Sequence, residues 1–72
     1  MRTYTVLLKR DVEASALSIV VPAFPNIHTC GDTIAEALTN AQEAIELYLS
    51  VLRDEGSPLP DDVTTATVEV AA

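Results

Sequence analysis

The chain has 72 residues, of which 49% are hydrophobic and 21% charged, a composition typical of globular rather than disordered proteins. A chain of this length has room for one thin hydrophobic core, so we assign residues 1–72 to a single domain. Four basic and 11 acidic residues give a formal net charge of −7, which repels phosphates and argues against direct nucleic-acid binding.

The N-terminal region has no pattern typical of export or membrane insertion. Met1 and Arg2 lead into alternating threonine and apolar residues, with no apolar run near the ~20 residues that a membrane span needs. The single cysteine, Cys30, excludes an internal disulfide and suits a reducing compartment. We therefore expect a soluble cytoplasmic protein without membrane contact.

The first half of the chain predicts three short strands. Residues alternate between apolar and polar along Thr3–Lys9 and again along Leu17–Val21, the period of a half-buried strand. Pro22 interrupts the second ladder, and together with Pro25 it predicts a rigid turn. A third strand, Asn26–Cys30, follows, so we expect a three-stranded antiparallel meander.

A long amphipathic helix follows the strands. Thr33 is the predicted N-cap, with Glu36 three residues later completing a capping box. Gly56 and Pro58 predict the C-terminal end. One apolar stripe recurs every three or four residues, and it consists of Ile34, Leu38, Ala41, Ile45, Leu49 and Leu52.

A final strand at Ala66–Val70 completes an α+β fold of order βββαβ. A right-handed crossover through the helix places this strand parallel to the first, with the helix packed on one sheet face. Leu7 and Val20 then lie on the sheet face that the helix does not cover. Because this leaves apolar surface exposed, we expect a homo-dimer or homo-tetramer.

Three stretches in this order, Val21–Pro25, Gly31–Ala37 and Ala44–Leu49, resemble the HicB-like antitoxin family of prokaryotic toxin–antitoxin systems. The resemblance implies a partial ribonuclease-H-like fold, oligomeric assembly, and neutralisation of a small basic HicA toxin that cleaves mRNA. The chain departs from the family pattern at three places, which affect turn shape and partner contacts: Ala23 for aspartate, Asn26-Ile27 for glycine-cysteine, and Val12-Glu13-Ala14 for a glycine-rich hairpin.

Many members of this family add a DNA-binding domain that represses their own operon. The chain stops before such a domain, so self-repression is not expected. The leading hypothesis is therefore a toxin-binding module without chemistry of its own. One alternative is an orphan structural or regulatory oligomer with an unknown partner, and another is a remnant metal-dependent nuclease.

The acidic residues do not predict a nuclease centre. A ribonuclease-H-type site needs several carboxylates around two metal ions, whereas Met1–Arg10 contains none and Asp11 and Glu13 fall in a solvated connection. His28 and Cys30 share a strand face, but zinc usually needs three or four ligands, which only a symmetric dimer could supply. We expect no catalytic residues, no bound metal and no cofactor.

Partner contacts are predicted at Phe24, Pro25, Glu36 and Glu43. Phe24 lies between two prolines, and a rigid aromatic presents a large apolar area at low ordering cost. The two glutamates could meet basic groups on a toxin. In the competing interpretation, Phe24 folds back into the core and the glutamates only keep the helix face solvated.

Overall fold

The computed structural model describes residues 2–11, 13 and 16–71 and has three strands followed by one long helix. This confirms the α+β class and the order of the first four predicted elements. The elements are β1 (Leu7–Asp11), β2 (Ala16–Val20), β3 (His28–Gly31) and α1 (Ile34–Glu55).

The sheet is the predicted antiparallel meander, with the order β1-β2-β3. Leu7 lies opposite Val20 in the β1–β2 pair, and Val20 lies opposite His28 in the β2–β3 pair. With β2 in the centre, the outer edge of β1 is not paired with any other described strand. This free edge is available for the addition of another strand.

The first strand begins later than the predicted Thr3–Lys9. In the observed register Leu7 pairs with Val20, the last residue of β2. The residues before Leu7 therefore lie past the end of β2 and have no β2 residue opposite them. Continuing the register would place Thr5 opposite Pro22, which has no N–H to donate. The strand therefore moves toward the hairpin and extends to Asp11.

Two consecutive turns explain the other strand boundaries. The Phe24 N–H donates to the Val21 carbonyl at 2.8 Å, and the Ile27 N–H donates to the Phe24 carbonyl at 2.9 Å. Because Val21 is part of the first turn, β2 ends at Val20 and begins at Ala16, one residue earlier at each end than the predicted Leu17–Val21. Because the second turn reaches Ile27, β3 begins two residues after the start of the predicted Asn26–Cys30.

Both predicted ends of the helix are confirmed. The Glu36 N–H donates to Thr33 Oγ1 at 3.1 Å, and the Glu36 carboxylate accepts from the Asp32 N–H at 3.3 Å. At the other end Gly56 adopts a left-handed φ of 71°, and its N–H donates to the Arg53 carbonyl at 3.0 Å. Within the described ranges, no helix is both long enough and apolar enough to cross a membrane.

The helix packs on the inner sheet face with its small residues closest to the strands. At Gly31 a β-carbon would lie 2.5 Å from the backbone nitrogen of Ala37, so the end of β3 and the first turns of α1 touch backbone to backbone. This contact turns Ala37 and Ala41 toward the sheet and leaves Ile34 and Leu38 of the predicted stripe exposed. The buried core consists of Leu17, Ile19, Val21, Phe24, Ile27, Ala37, Ala41 and Leu49.

The chain after the helix does not form the predicted final strand. Residues 57–71 contain no helix or strand, and Val68 and Val70 in the predicted segment Ala66–Val70 are 85% and 78% exposed. A strand needs a neighbour, and among the described residues no strand pairs with this segment. The fourth strand and its parallel pairing are therefore not confirmed.

Candidate interaction surfaces

A groove of about 600 Å³ lies between the N-terminal segment, residues 2–6, and α1. We call it the edge groove, because the segment that forms one wall leads directly into β1 and its free edge. Its floor is largely apolar, and two of the four basic residues of the chain line it. The residues that define it are Arg2, Tyr4 and Val6 from the segment and Leu38, Ile45 and Arg53 from the helix.

The chain that follows α1 is held against the wall of this groove. Tyr4 Oη donates to the Pro60 carbonyl at 2.5 Å, and an Arg2 guanidinium nitrogen lies 3.9 Å from an Asp61 carboxylate oxygen. Asp62 accepts two hydrogen bonds from Thr5. Both hydrogen bonds lower the pKa of the Asp62 carboxyl below its usual range, and the Thr5 backbone N–H has a larger effect than the Thr5 hydroxyl.

Sequence reasoning did not identify these contacts. They join residues that lie 56 to 59 positions apart, and no local pattern in the chain marks Thr5 and Asp62 as partners. Arg2 and Arg53 are far apart in the chain and still line the same groove. The only feature of the sequence that singles them out is the small number of basic residues. Spacing alone cannot bring them together.

The outer face of the sheet carries an uncovered apolar pair, as predicted. Leu7 and Val20 are directly paired across β1 and β2, and they are 49% and 40% exposed. His28 is the next residue in the same row, and it is exposed as well. A second molecule could therefore pack on this outer face.

Phe24 lies in the core and not at the surface. Its side chain is 3% exposed, with ring centroids 4.9 Å from Tyr4 and 5.2 Å from Tyr48 in edge-to-face contacts. The expectation that Phe24 offers a free contact surface is corrected, because the two turns that surround it direct the ring toward α1. Pro25, the next residue, is exposed.

The remaining predicted contact residues do not form one surface. Glu36 and Glu43 are both exposed on α1, seven residues or two turns apart, so they share a face of the helix. Phe24 packs on Tyr48, which lies about 18 Å farther along the helix axis than Glu36. The structure therefore separates Pro25 from Glu36.

The described residues contain no group of three or more histidine, cysteine or acidic side chains arranged to hold a metal ion. Asp11 Oδ1 accepts a hydrogen bond from the Glu13 N–H at 3.0 Å, which is a turn contact. His28 and Cys30 are both exposed, and they lie two residues apart in β3, on the same strand face as the sequence predicts. This part of the chain gives no support to a nuclease.

Comparisons with known proteins agree on one family. The family model described as the HicB-like antitoxin of a bacterial toxin–antitoxin system matches residues 4–71. A UPF0150 protein of Synechocystis sp. is 39% identical over 59 residues, covering 82% of this chain and 73% of the relative. A UPF0150 protein of Thermoplasma acidophilum is 39% identical over 59 residues, covering 82% and 84%.

A third relative, a UPF0150 protein of Thermotoga maritima, is 32% identical over 54 residues, covering 75% of this chain and 72% of the relative. No solved structure gives a significant match. The matched range includes all three strands, the whole of α1 and most of the chain that follows it. The chain therefore belongs to the HicB-like antitoxin family.

Proposed function

We propose that this chain is a non-catalytic antitoxin module that binds and neutralises a HicA-type toxin, a small basic protein that cleaves mRNA, in the cytoplasm. The observation that carries the proposal is the family match over residues 4–71, which spans almost the whole chain. An antitoxin acts by occluding its toxin, so it needs an accessible surface and no reactive centre of its own.

The charge of the chain supports a basic partner. A net charge of −7 raises the encounter rate with a basic protein and favours the correct partner more than it increases affinity. Glu43 is the stronger candidate for a direct contact, because the Glu36 carboxylate is already engaged by the Asp32 N–H. We place the toxin contact on the α1 face that carries Glu43, with Pro25 as a separate peripheral contact.

The finer details of the fold belong to the same proposal. A partial ribonuclease-H-like sheet requires a fourth strand beside β1, and Ala66–Val70 has the alternation of such a strand. The free edge of β1 and the edge groove beside it offer the place where this strand would complete the sheet. We propose that the sheet is completed when the protein assembles.

The proposal is tested by co-expression with the product of a neighbouring reading frame of HicA type. We expect the two proteins to co-purify and the growth arrest caused by the toxin to be relieved. Charge reversal by Glu43→Lys is expected to weaken binding about tenfold, the effect of 1.4 kcal/mol. Glu55→Lys changes the net charge equally on another side of α1 and is the matched control; equal weakening by both variants would contradict a local contact at Glu43.

A second candidate function is an orphan homo-oligomer without a toxin. The uncovered pair Leu7 and Val20 and the exposed residues Val68 and Val70 favour it, because monomeric proteins rarely leave such apolar area in contact with water. A stable homo-oligomer that rescues no cell from any HicA-type toxin and captures no such toxin would favour this candidate over the first.

A further inference from the structure

The outward face of α1 carries two apolar side chains among its carboxylates. Leu47 is 69% exposed and Val51 is 47% exposed, although both lie in the middle of the continuous helix. Glu43 lies about one turn before Leu47, and Val51 about one turn after it. Asp54 follows Leu47 by seven residues, or about two turns, so it returns to the same side. We call Glu43, Leu47, Val51 and Asp54 the outer strip.

The outer strip is turned away from the sheet. The buried residues of α1 are Ala37, Ala41 and Leu49, and they mark the side that packs on the strands. A helix turns about 100° per residue, which places Leu47 about 120° from Ala41 and about 160° from Leu49. Neither Leu47 nor Val51 is among the apolar side chains that pack against the described core. The fold therefore gains little stability from either of them.

Helix formation does not explain this pair of residues. A single exposed leucine is ordinary, and leucine favours the helix. Valine is β-branched and forms helices less readily, so Val51 offers the helix neither propensity nor burial. Apolar side chains one turn apart on an exposed face are typical of a helix that contacts an apolar cleft. We therefore treat Leu47 and Val51 as the centre of a contact surface.

The charges around this pair indicate the class of partner. Among the described residues, none forms an ion pair or a hydrogen bond with the carboxylates of Glu43 and Asp54. Arg53 is the only basic residue of α1, and it lines the edge groove on another side of the helix. A nucleic acid, an anionic membrane or the outer strip of a second copy would bring further negative charge against these carboxylates. A basic protein with an apolar cleft complements both features.

We propose that the outer strip is the surface on which the basic toxin docks, with Leu47 and Val51 entering an apolar cleft and Glu43 and Asp54 meeting basic side chains at its rim. The inference deepens the antitoxin proposal and rests on it. In such a contact the desolvated apolar centre holds the complex together, whereas the charged rim mainly speeds the encounter and selects the partner.

The first experiment measures the affinity of purified HicA-type toxin for the wild type and two variants by biolayer interferometry. Leu47→Ala should raise the dissociation constant at least about tenfold, chiefly through faster dissociation. Ile34→Ala is the matched control, because Ile34 is 56% exposed on α1 but lies about 140° around the helix from Leu47. It should bind as the wild type does. Both variants should keep their helical circular dichroism, since alanine favours the helix.

The second experiment separates the centre of the surface from its rim. Glu43→Gln with Asp54→Asn should slow association and make the association rate less sensitive to salt. Leu47→Ala should leave that salt dependence unchanged. The control for net charge is Glu13→Gln with Glu69→Gln, which removes two charges outside α1 and should keep the wild-type salt dependence. An equal loss of salt dependence in the two charge variants would contradict a rim at Glu43 and Asp54.

The results distinguish this surface from the antitoxin function itself. Toxin binding that is equally strong in the wild type, Leu47→Ala and Ile34→Ala would overturn the proposed surface and leave the antitoxin function standing. A wild type that captures no HicA-type toxin would contradict both proposals. Leu47→Asp should abolish toxin binding without changing the molar mass measured by light scattering. If it instead dissociates an oligomer and still binds the toxin, a second copy covers the strip and the proposed surface is wrong.

Discussion

Thr5 donates two hydrogen bonds to the carboxylate of Asp62, from its backbone N–H at 2.9 Å and from its hydroxyl at 2.7 Å. The contact joins the segment before β1 to the segment after α1, 57 positions apart in the chain. It follows the contacts that Arg2 and Tyr4 make with Pro60 and Asp61. Together these contacts hold residues 60–62 beside the N-terminal segment.

The first prediction concerns the titration of Asp62. Because its pKa is lowered in the folded state, the carboxylate stabilises the fold above the unfolded pKa of about 3.9, and this contribution disappears as the pH falls through the folded pKa. Thr5→Val removes the hydroxyl donor and should raise the Asp62 pKa toward its usual value. A carboxyl ¹³C titration of both proteins measures the change, and identical pKa values in the two proteins would contradict it.

The second prediction concerns the close approach of β3 and α1. Gly31→Ala would place a β-carbon 2.5 Å from the Ala37 nitrogen and 2.8 Å from its Cα, and neither backbone atom can move without shifting the helix. We expect a loss of about 1–3 kcal/mol in the free energy of unfolding, measured by urea denaturation. Cys30→Ala, at the exposed neighbouring residue, is the control and should change stability little; a similar loss in both variants would refute the explanation.

The third prediction concerns the end of the helix. Gly56 has a φ of 71°, and a β-carbon there would meet no atom within 4 Å, so any penalty for Gly56→Ala comes from the backbone alone. We expect about 1–2 kcal/mol of destabilisation by thermal or urea unfolding. Gly56→Asn should lose less, because asparagine tolerates the left-handed region better. An alanine variant as stable as the wild type would rule out the strained cap.

The fourth prediction separates the core role of Phe24 from a contact role. Phe24→Ala should reduce the free energy of unfolding by about 3–5 kcal/mol, because it removes a buried ring that packs on Tyr4 and Tyr48. Pro25→Ala at the exposed neighbouring position should cause a much smaller change. Equal stability of the wild type and the Phe24 variant would show that the ring is not part of the core.

Local chemistry was sufficient to predict several features of this fold. The capping box at Thr33 and Glu36 and the left-handed glycine at position 56 act within a few residues, so the bounds of α1 could be derived from the chain alone. Alternation along the strands correctly placed Leu7 and Val20 on the uncovered face, because side chains in a strand change sides at every residue. The three motifs that resemble the family likewise led to the family that the comparisons show.

Which apolar residues of α1 are buried depends on tertiary packing. Ile34, Leu38 and Ala41 belong to the same stripe in the sequence, yet only Ala41 is buried. The hydrophobic effect favours the burial of all three, but the backbone contact at Gly31 brings Ala37 in the first turns of α1 onto the end of β3 and leaves the larger side chains there, Ile34 and Leu38, uncovered. The pattern of apolar residues alone does not indicate which of them lie where the helix comes closest to the sheet.

The sequence by itself therefore determined the class of the fold, the helix with its two caps and the family. Only the tertiary structure decided that Phe24 lies inside, that Thr5 meets Asp62, and that the predicted fourth strand has no partner among the described strands. The physical reason is the range of the interactions. Caps and alternation act between near neighbours, whereas a sheet edge or a buried ring requires surfaces that distant parts of the chain bring together.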